Sequence, residues 1–121
     1  MAKILIVDDS QFQRAFLKKA LAADGHHFLE ASNGREGIDL AHREHPDCIL
    51  MDLIMPETEG MVVLEQLHEA ESDIPLIVVT ADIQNQVKQQ CLALGARSVL
   101  HKPVEPESLR QTVTEILGTS P

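Results

Sequence analysis

Two acids stand side by side at Asp8 and Asp9, directly after the apolar run "ILIV". Adjacent carboxylates repel each other, and burying them unpaired is costly, so a strand that ends on them needs a reason to do so. The same grammar recurs along the chain. "CILM" is followed by Asp52, "LIVV" by Thr80, and "SVL" by His101-Lys102. Three carboxylates, a hydroxyl and an ammonium that converge could hold a cation and handle a phosphoryl group. Carboxylates completed by backbone oxygen and water match the usual binding of Mg²⁺. A cation and an ammonium neutralise the oxygens of a transferring phosphoryl group, and a hydroxyl donates to a third oxygen. One carboxylate can itself be the nucleophile, giving an aspartyl phosphate. Asp52 is the candidate, because it ends its run alone while Asp8 and Asp9 remain for the metal.

The elements that must position these residues are legible as alternation. Strand-like runs at 3–7, 27–31, 48–51, 76–79 and 98–100 are separated and followed by helix-like stretches. Ser10 with Gln13 resembles a capping box for the first helix, and Gly25 stands where a C-cap glycine would. Phe12, Phe16, Leu17 and Leu21 share one face of that helix. Leu109, Val113, Ile116 and Leu117 share one face of the last, with Gly118 as its stop. Asn33-Gly34 punctuates the turn before the second helix, and Gly95 closes the fourth. Strands alternating with helices read as βαβ units and a parallel sheet. The central runs are apolar throughout, as expected when helices cover both faces. The reading is an α/β doubly wound fold, a five-stranded parallel sheet in the order 2-1-3-4-5, forming one domain over residues 1–121. Ligands of such sheets sit beyond the carboxyl ends of the strands. In that order the first and third strands are neighbours, about 5 Å apart, so Asp9 and Asp52 face each other and Lys102 reaches across.

Composition narrows the function classes. The chain has 121 residues, 44% of them apolar, enough for a single core. Its net charge is −9 with no Lys/Arg block, and Trp and Tyr are absent, which argues against nucleic-acid binding. No apolar run approaches the roughly 20 residues of a membrane span, and the start lacks the features of a signal peptide. A cytoplasmic protein is expected. Cys48 and Cys91 lack metal-site spacing and read as reduced and packed. The histidines, including His42 and His45 in "HREH", offer no third ligand for Zn²⁺ and read as surface groups. His101 is expected to point away from the site.

With these residues in place, the chain resembles a response-regulator receiver domain of the stand-alone, CheY-like type. "ILIVDDS", "ILMDLIMPETEG", "VVTAD" and "LHKPV" carry the resemblance, in that family's order and spacing, over residues 3–117. The resemblance implies that Asp52 accepts a phosphoryl group from the phosphohistidine of a histidine kinase. It implies that Asp9, Asp52 and the backbone carbonyl of Ile54 ligate Mg²⁺, with Asp8 acting mainly through water. Lys102 pairs with the phosphoryl group, Thr80 rotates to hydrogen-bond it, and the Lys102–Pro103 bond is commonly cis in relatives. The implied partners are that kinase, a phosphatase, and a target protein that docks on the fourth helix, fifth strand and fifth helix. Such a domain promotes its own phosphorylation and dephosphorylation but is not a conventional enzyme.

The chain departs from its relatives at Val99, where they usually carry Tyr or Phe. The signal is therefore expected to leave through Thr80 and the loop "TADIQ". Ile54 and Asp82 flank the site where relatives tune the lifetime of the phosphoryl group. Ile54 could exclude water, whereas Asp82 could orient water or act only as a helix N-cap. The fourth helix is expected to turn Ile83, Val87, Cys91 and Leu94 inward and its glutamines outward. The rival readings are a metal-dependent phosphatase or phosphotransferase with an aspartyl nucleophile, a flavodoxin-like cofactor binder, and a degenerate receiver acting only as a binding module. The phosphatase is opposed by Ile54, which stands where such enzymes often carry a second acid, and by the absence of a cap. The flavodoxin-like binder is opposed by the lack of Trp or Tyr and by the three acids.

Overall fold

A computed structural model of the chain describes residues 2–55 and 60–118. The closing "TSP" and the "PETE" segment of the third motif lie outside the described residues. Strand β1 (Lys3–Val7) leads through α1 (Gln11–Leu21) and a 3-10 turn (Ala22–Asp24) into β2 (His27–Ala31). Then follow α2 (Gly34–Glu44), β3 (Cys48–Met51), α3 (Gly60–Glu69), β4 (Leu76–Thr80), α4 (Asn85–Ala93), β5 (Ser98–His101) and α5 (Pro106–Gly118). The strands are parallel in the order β2-β1-β3-β4-β5, as the alternation predicts.

Successive side chains on a strand point to opposite faces, and the core divides accordingly. Leu5, Val7, Ile49, Met51 and Val78 pack with Ala41 of α2, Val63, Leu64 and Leu67 of α3, and Cys91 of α4. Ile4, Ile6, Leu50, Ile77 and Val79 pack with Leu17 and Leu21 of α1 and with Leu109 and Val113 of α5. This two-sided covering is why the central runs need no polar alternation.

Local signals end the helices where the sequence marks them, with refinements. The Ser10 hydroxyl accepts from the Gln13 N–H, 3.1 Å away. The reciprocal half of the box is not made by Gln13, since the Ser10 N–H donates to Asp8 Oδ1 at 2.9 Å. Asn33 caps α2 by accepting from the Glu36 N–H. Gly25 (φ 75°) closes the 3-10 turn after α1, and Gly95 (φ 98°) follows α4, both in the left-handed region that favours glycine. Two apolar expectations are corrected. Phe12 is 82% exposed, because it stands about 140° around the helix from the buried Leu17, off the stripe of Gln13, Arg14, Leu17 and Leu21 that faces the protein. Ile83 precedes α4 and is 75% exposed, so the inward face of that helix carries Val87, Cys91 and Leu94 alone.

Both cysteines are free and buried, as the sequence indicates. Burial pushes the Cys48 thiol up to about 12 and raises that of Cys91 as well. Neither should form the thiolate that reacts. A thiol reagent at pH 8 is expected to label neither cysteine in the native protein and both in denaturant. Rapid native labelling, read by mass, would contradict this packing.

Candidate phosphoryl-transfer site

The sheet's own hydrogen bonds place the polar residues. The ladders run one residue past the strands. The Asp8 N–H donates to the Ala31 carbonyl of β2, the Asp52 N–H to the Val7 carbonyl of β1, and the Lys102 N–H to the Thr80 carbonyl of β4. Each main chain is therefore held as the strand would hold it, while its side chain stands at the carboxyl edge. One carboxylate oxygen from each of Asp8, Asp9 and Asp52 lies within 4.8 Å of the other two. The Lys102 ammonium bridges two of them, with Nζ 3.1 Å from Asp8 Oδ2 and 3.2 Å from Asp52 Oδ2. The Lys102–Pro103 bond is cis.

Burial sets the electrostatics. Asp8 and Asp52 are buried, and Thr80 is fully so, whereas Asp9 is exposed. Burial raises the Asp52 carboxyl above its ordinary value. The Lys102 charge and the Ile54 N–H, 3.3 Å from Asp52 Oδ1, oppose that rise, and the Asp8 charge adds to it. Burial works against the Lys102 ammonium, but the Asp52 charge and the Asp8 hydrogen bond outweigh it, and its pKa is raised. Asp9 makes no hydrogen bond or ion pair among the described residues, which leaves its carboxylate free to take a ligand.

Of the residues singled out by sequence, Asp8, Asp9, Asp52 and Lys102 come together as a cluster. Thr80 ends the neighbouring strand, its Oγ1 accepting from the Asp82 N–H at 3.1 Å. The Ile54 side chain is 63% exposed at the rim. Asp82 is not the N-cap of α4, a position held by Gln84. Instead its Oδ1 accepts from the Gln84 N–H at 3.0 Å in the preceding turn. Val99 is partly buried and packs against the α2–α4 side of the core. His101, His42, His45 and His68 are exposed.

Sequence reasoning missed Arg14, whose Nη1 donates to the Asp8 carbonyl at 2.6 Å. The available signal was a cation one turn into the helix that follows the acids. A cavity of about 550 Å³, lined in part by Ala2, His26, Asp47 and Pro75, lies at the opposite edge of the sheet, away from the acids.

A parallel sheet in this order, with three acids and a lysine at its carboxyl edge, defines a class, and the chain belongs to it. Residues 4–114 match the response regulator receiver domain family, the phospho-acceptor switches of two-component systems. The chain is 44% identical over 120 residues to protein PilH of Pseudomonas aeruginosa, covering 98% of this chain and 99% of PilH. It is 33% identical over 118 residues to the alkaline phosphatase synthesis transcriptional regulatory protein PhoP of Bacillus subtilis, covering 98% of this chain but 49% of PhoP. The chain thus spans about half the length of that relative. Among solved structures, the chemotaxis protein CheY4 of Vibrio cholerae superposes with a TM-score of 0.87 at 30% identity, covering 96% of this chain and 98% of that one. Receiver domains interact with histidine kinases and downstream effectors.

Proposed function

We propose that Asp52 is the phospho-acceptor of this receiver domain and that Asp9, Asp52 and the Ile54 carbonyl hold Mg²⁺, with Asp8 acting mainly through water. The observation that carries the reading is the Lys102 ammonium set between the carboxylates of Asp8 and Asp52. The donor set fits the metal, since three carboxylates offer hard oxygen atoms within 4.8 Å of one another, one of them from the unencumbered Asp9. Bound there, the cation supplies charge neutralisation for the phosphoryl oxygens.

The chain's own groups do the rest. An Asp52 oxygen forms a bond to phosphorus as the N–P bond of a phosphohistidine breaks, its electron pair returning to the imidazole. Lys102 favours the ionised form of Asp52 that this attack needs and then pairs with the phosphoryl group. The Thr80 oxygen already accepts from the Asp82 N–H, so its single hydrogen remains to be donated to a phosphoryl oxygen. That donation draws on the group which anchors the loop before α4, and Val99 has no hydroxyl with which to share the task. The signal then passes through the Thr80–Asp82 turn toward the exposed glutamines of α4 and the edge strand β5, where a target protein docks. The phosphodonor is a histidine kinase, a phosphatase resets the switch, and the setting is cytoplasmic.

The test is intact-mass detection of phosphorylation by a small acyl phosphate, with and without Mg²⁺. A Mg²⁺-dependent, hydroxylamine-labile adduct is expected in the wild type and none in Asp52→Ala. An adduct that persists in the folded variant would remove Asp52 from this role. No adduct in a wild type that binds Mg²⁺ would leave a degenerate receiver that works by binding alone.

A further inference from the structure

The contact that sequence reasoning missed ties the Asp8–Asp9 turn, through α1, to Glu30 of β2. Arg14 is only 15% exposed along its side chain and makes two directed bonds. Nη1 donates to the Asp8 carbonyl at 2.6 Å, and Nε donates to Glu30 Oε1 on β2 at 2.9 Å. Lys18, one turn further along α1, holds the other Glu30 oxygen at 2.8 Å. The Lys18 and Arg14 hydrogen bonds lower the Glu30 pKa against the opposing effect of burial, so the acid stays charged as an anchor. The Asp8 carbonyl belongs to the peptide that joins Asp8 to Asp9. That peptide sets where the Asp9 main chain, and hence its carboxylate, is presented. Asp8 itself is already fixed by its own N–H on Ala31, by Ser10 on Oδ1 and by Lys102 on Oδ2. Asp9 has no such ties among the described residues, so the orientation of its preceding peptide is what it depends on.

The geometry points to Arg14 as a positioning residue for metal binding: held by Glu30, it orients the Asp8–Asp9 peptide so that Asp9 is presented to a divalent cation. This rests on the proposed Mg²⁺ site and deepens it. A planar guanidinium suits the task, since it directs two donors in fixed relation to a carbonyl and a carboxylate, which an ammonium cannot reproduce. Groups that orient ligands in this way typically change metal affinity by about tenfold or more when removed. A second effect opposes this one, because a cation beside an acidic site also repels Mg²⁺. Glu30 at 2.9 Å offsets that charge, so orientation is the larger effect.

The experiment is calorimetric Mg²⁺ titration of the full chain as wild type, Arg14→Met, Arg14→Lys and Glu30→Gln, with urea midpoints and amide exchange in metal-free protein. Arg14→Met is expected to weaken Mg²⁺ binding about tenfold and to speed exchange at Asp9 and Ser10 without unfolding the chain. Arg14→Lys, which keeps the charge, should recover only part of the affinity, and Glu30→Gln should shift it in the same direction by less. Unchanged or tighter Mg²⁺ binding in a folded Arg14→Met, or full rescue by lysine, would overturn the inference while leaving the metal site standing. Should Arg14→Met fail to fold, Arg14→Lys and Glu30→Gln decide it, unchanged affinity in both counting against it. A wild type that bound no Mg²⁺ would overturn the metal site and this inference together.

Discussion

Gly60→Ala is expected to destabilise the protein by about 3 kcal/mol, at the upper end of the usual cost of overpacking, and to slow phosphorylation of what remains folded. A Cβ at Gly60 would lie 2.3 Å from the Asp52 carbonyl oxygen and 2.6 Å from the Leu53 Cα. Both are main-chain atoms of the loop that carries the proposed acceptor, and neither can swing aside like a side-chain tip. The Gly60 N–H also donates to the Leu53 carbonyl at 2.8 Å, which holds the start of α3 against that loop. Alanine is the better helix former by about 1 kcal/mol, so the two effects oppose each other and the steric one is larger. Relief requires α3 to back away or Asp52 to move, and either route costs packing or the alignment of the acid with Lys102. The measurement is a urea midpoint beside the initial rate of adduct formation with a small phosphodonor. A midpoint equal to wild type would show that the helix can shift freely. Gly37→Ala is a useful contrast, since its nearest obstacle is the Val7 side chain at 2.9 Å rather than backbone.

The second large effect is expected of Lys102→Ala. Removing one partner of a buried ion pair typically costs 3–5 kcal/mol. The Lys102 side chain is 21% exposed, so water softens the loss, and about 2 kcal/mol at pH 7 without divalent cations is the expected figure. The pH profile separates this from simple packing loss. The Lys102 pKa is raised on folding, so its stabilisation is complete below the unfolded-state value and is lost as pH rises through the folded one. The Asp52 pKa is also raised, which means that the native state binds more protons and loses stability as pH rises through the acid range. Without the ammonium that second loss deepens. The gap between wild type and variant should therefore be widest near neutrality. It should narrow as pH falls and Asp52 takes up its proton, and again above the folded-state pKa of the lysine. Mg²⁺ should narrow it at pH 7 by supplying the missing positive charge. A gap that did not vary with pH would assign the cost to lost methylene packing.

The residues differ in how far their roles could be read without coordinates. The strand ends were legible because a parallel sheet buries its strands on both faces, so the first polar residue after "ILIV" or "CILM" marks the edge where ligands sit. Asp8, Asp52 and Thr80 followed from that alone, whereas Asp9 and Lys102 stand one residue further along, Lys102 after the exposed His101. Their individual roles as acceptor, ligand or counter-ion came from chemistry and family resemblance. Phe12 was misplaced because it was grouped with Phe16 as a neighbour on the helix surface, although it lies off the stripe of Gln13, Arg14, Leu17 and Leu21 that faces the protein. Ile83 was misplaced because the weak amphipathicity of α4 left its start undefined. Arg14 escaped notice because its place one turn into the helix after the acids is the only local hint, and its partners, the Asp8 carbonyl and Glu30, meet only when α1 docks beside β2. Gly60 sits in a recognised motif, but its obstacle is main chain from the preceding loop, which only three dimensions reveal.

The division of the core by the sheet bears on how such a chain can change over time. The side chains under α1 and α5 and those under α2, α3 and α4 form separate clusters with the sheet between them. A methyl group gained or lost in one layer is accommodated there, and costs at distant sites without shared neighbours add. Either layer can therefore drift and repack by itself while the other is conserved, giving receivers with different outer faces around the same sheet. At the carboxyl edge this independence stops, because Asp8 and Lys102 belong to opposite ends of the chain and touch each other there.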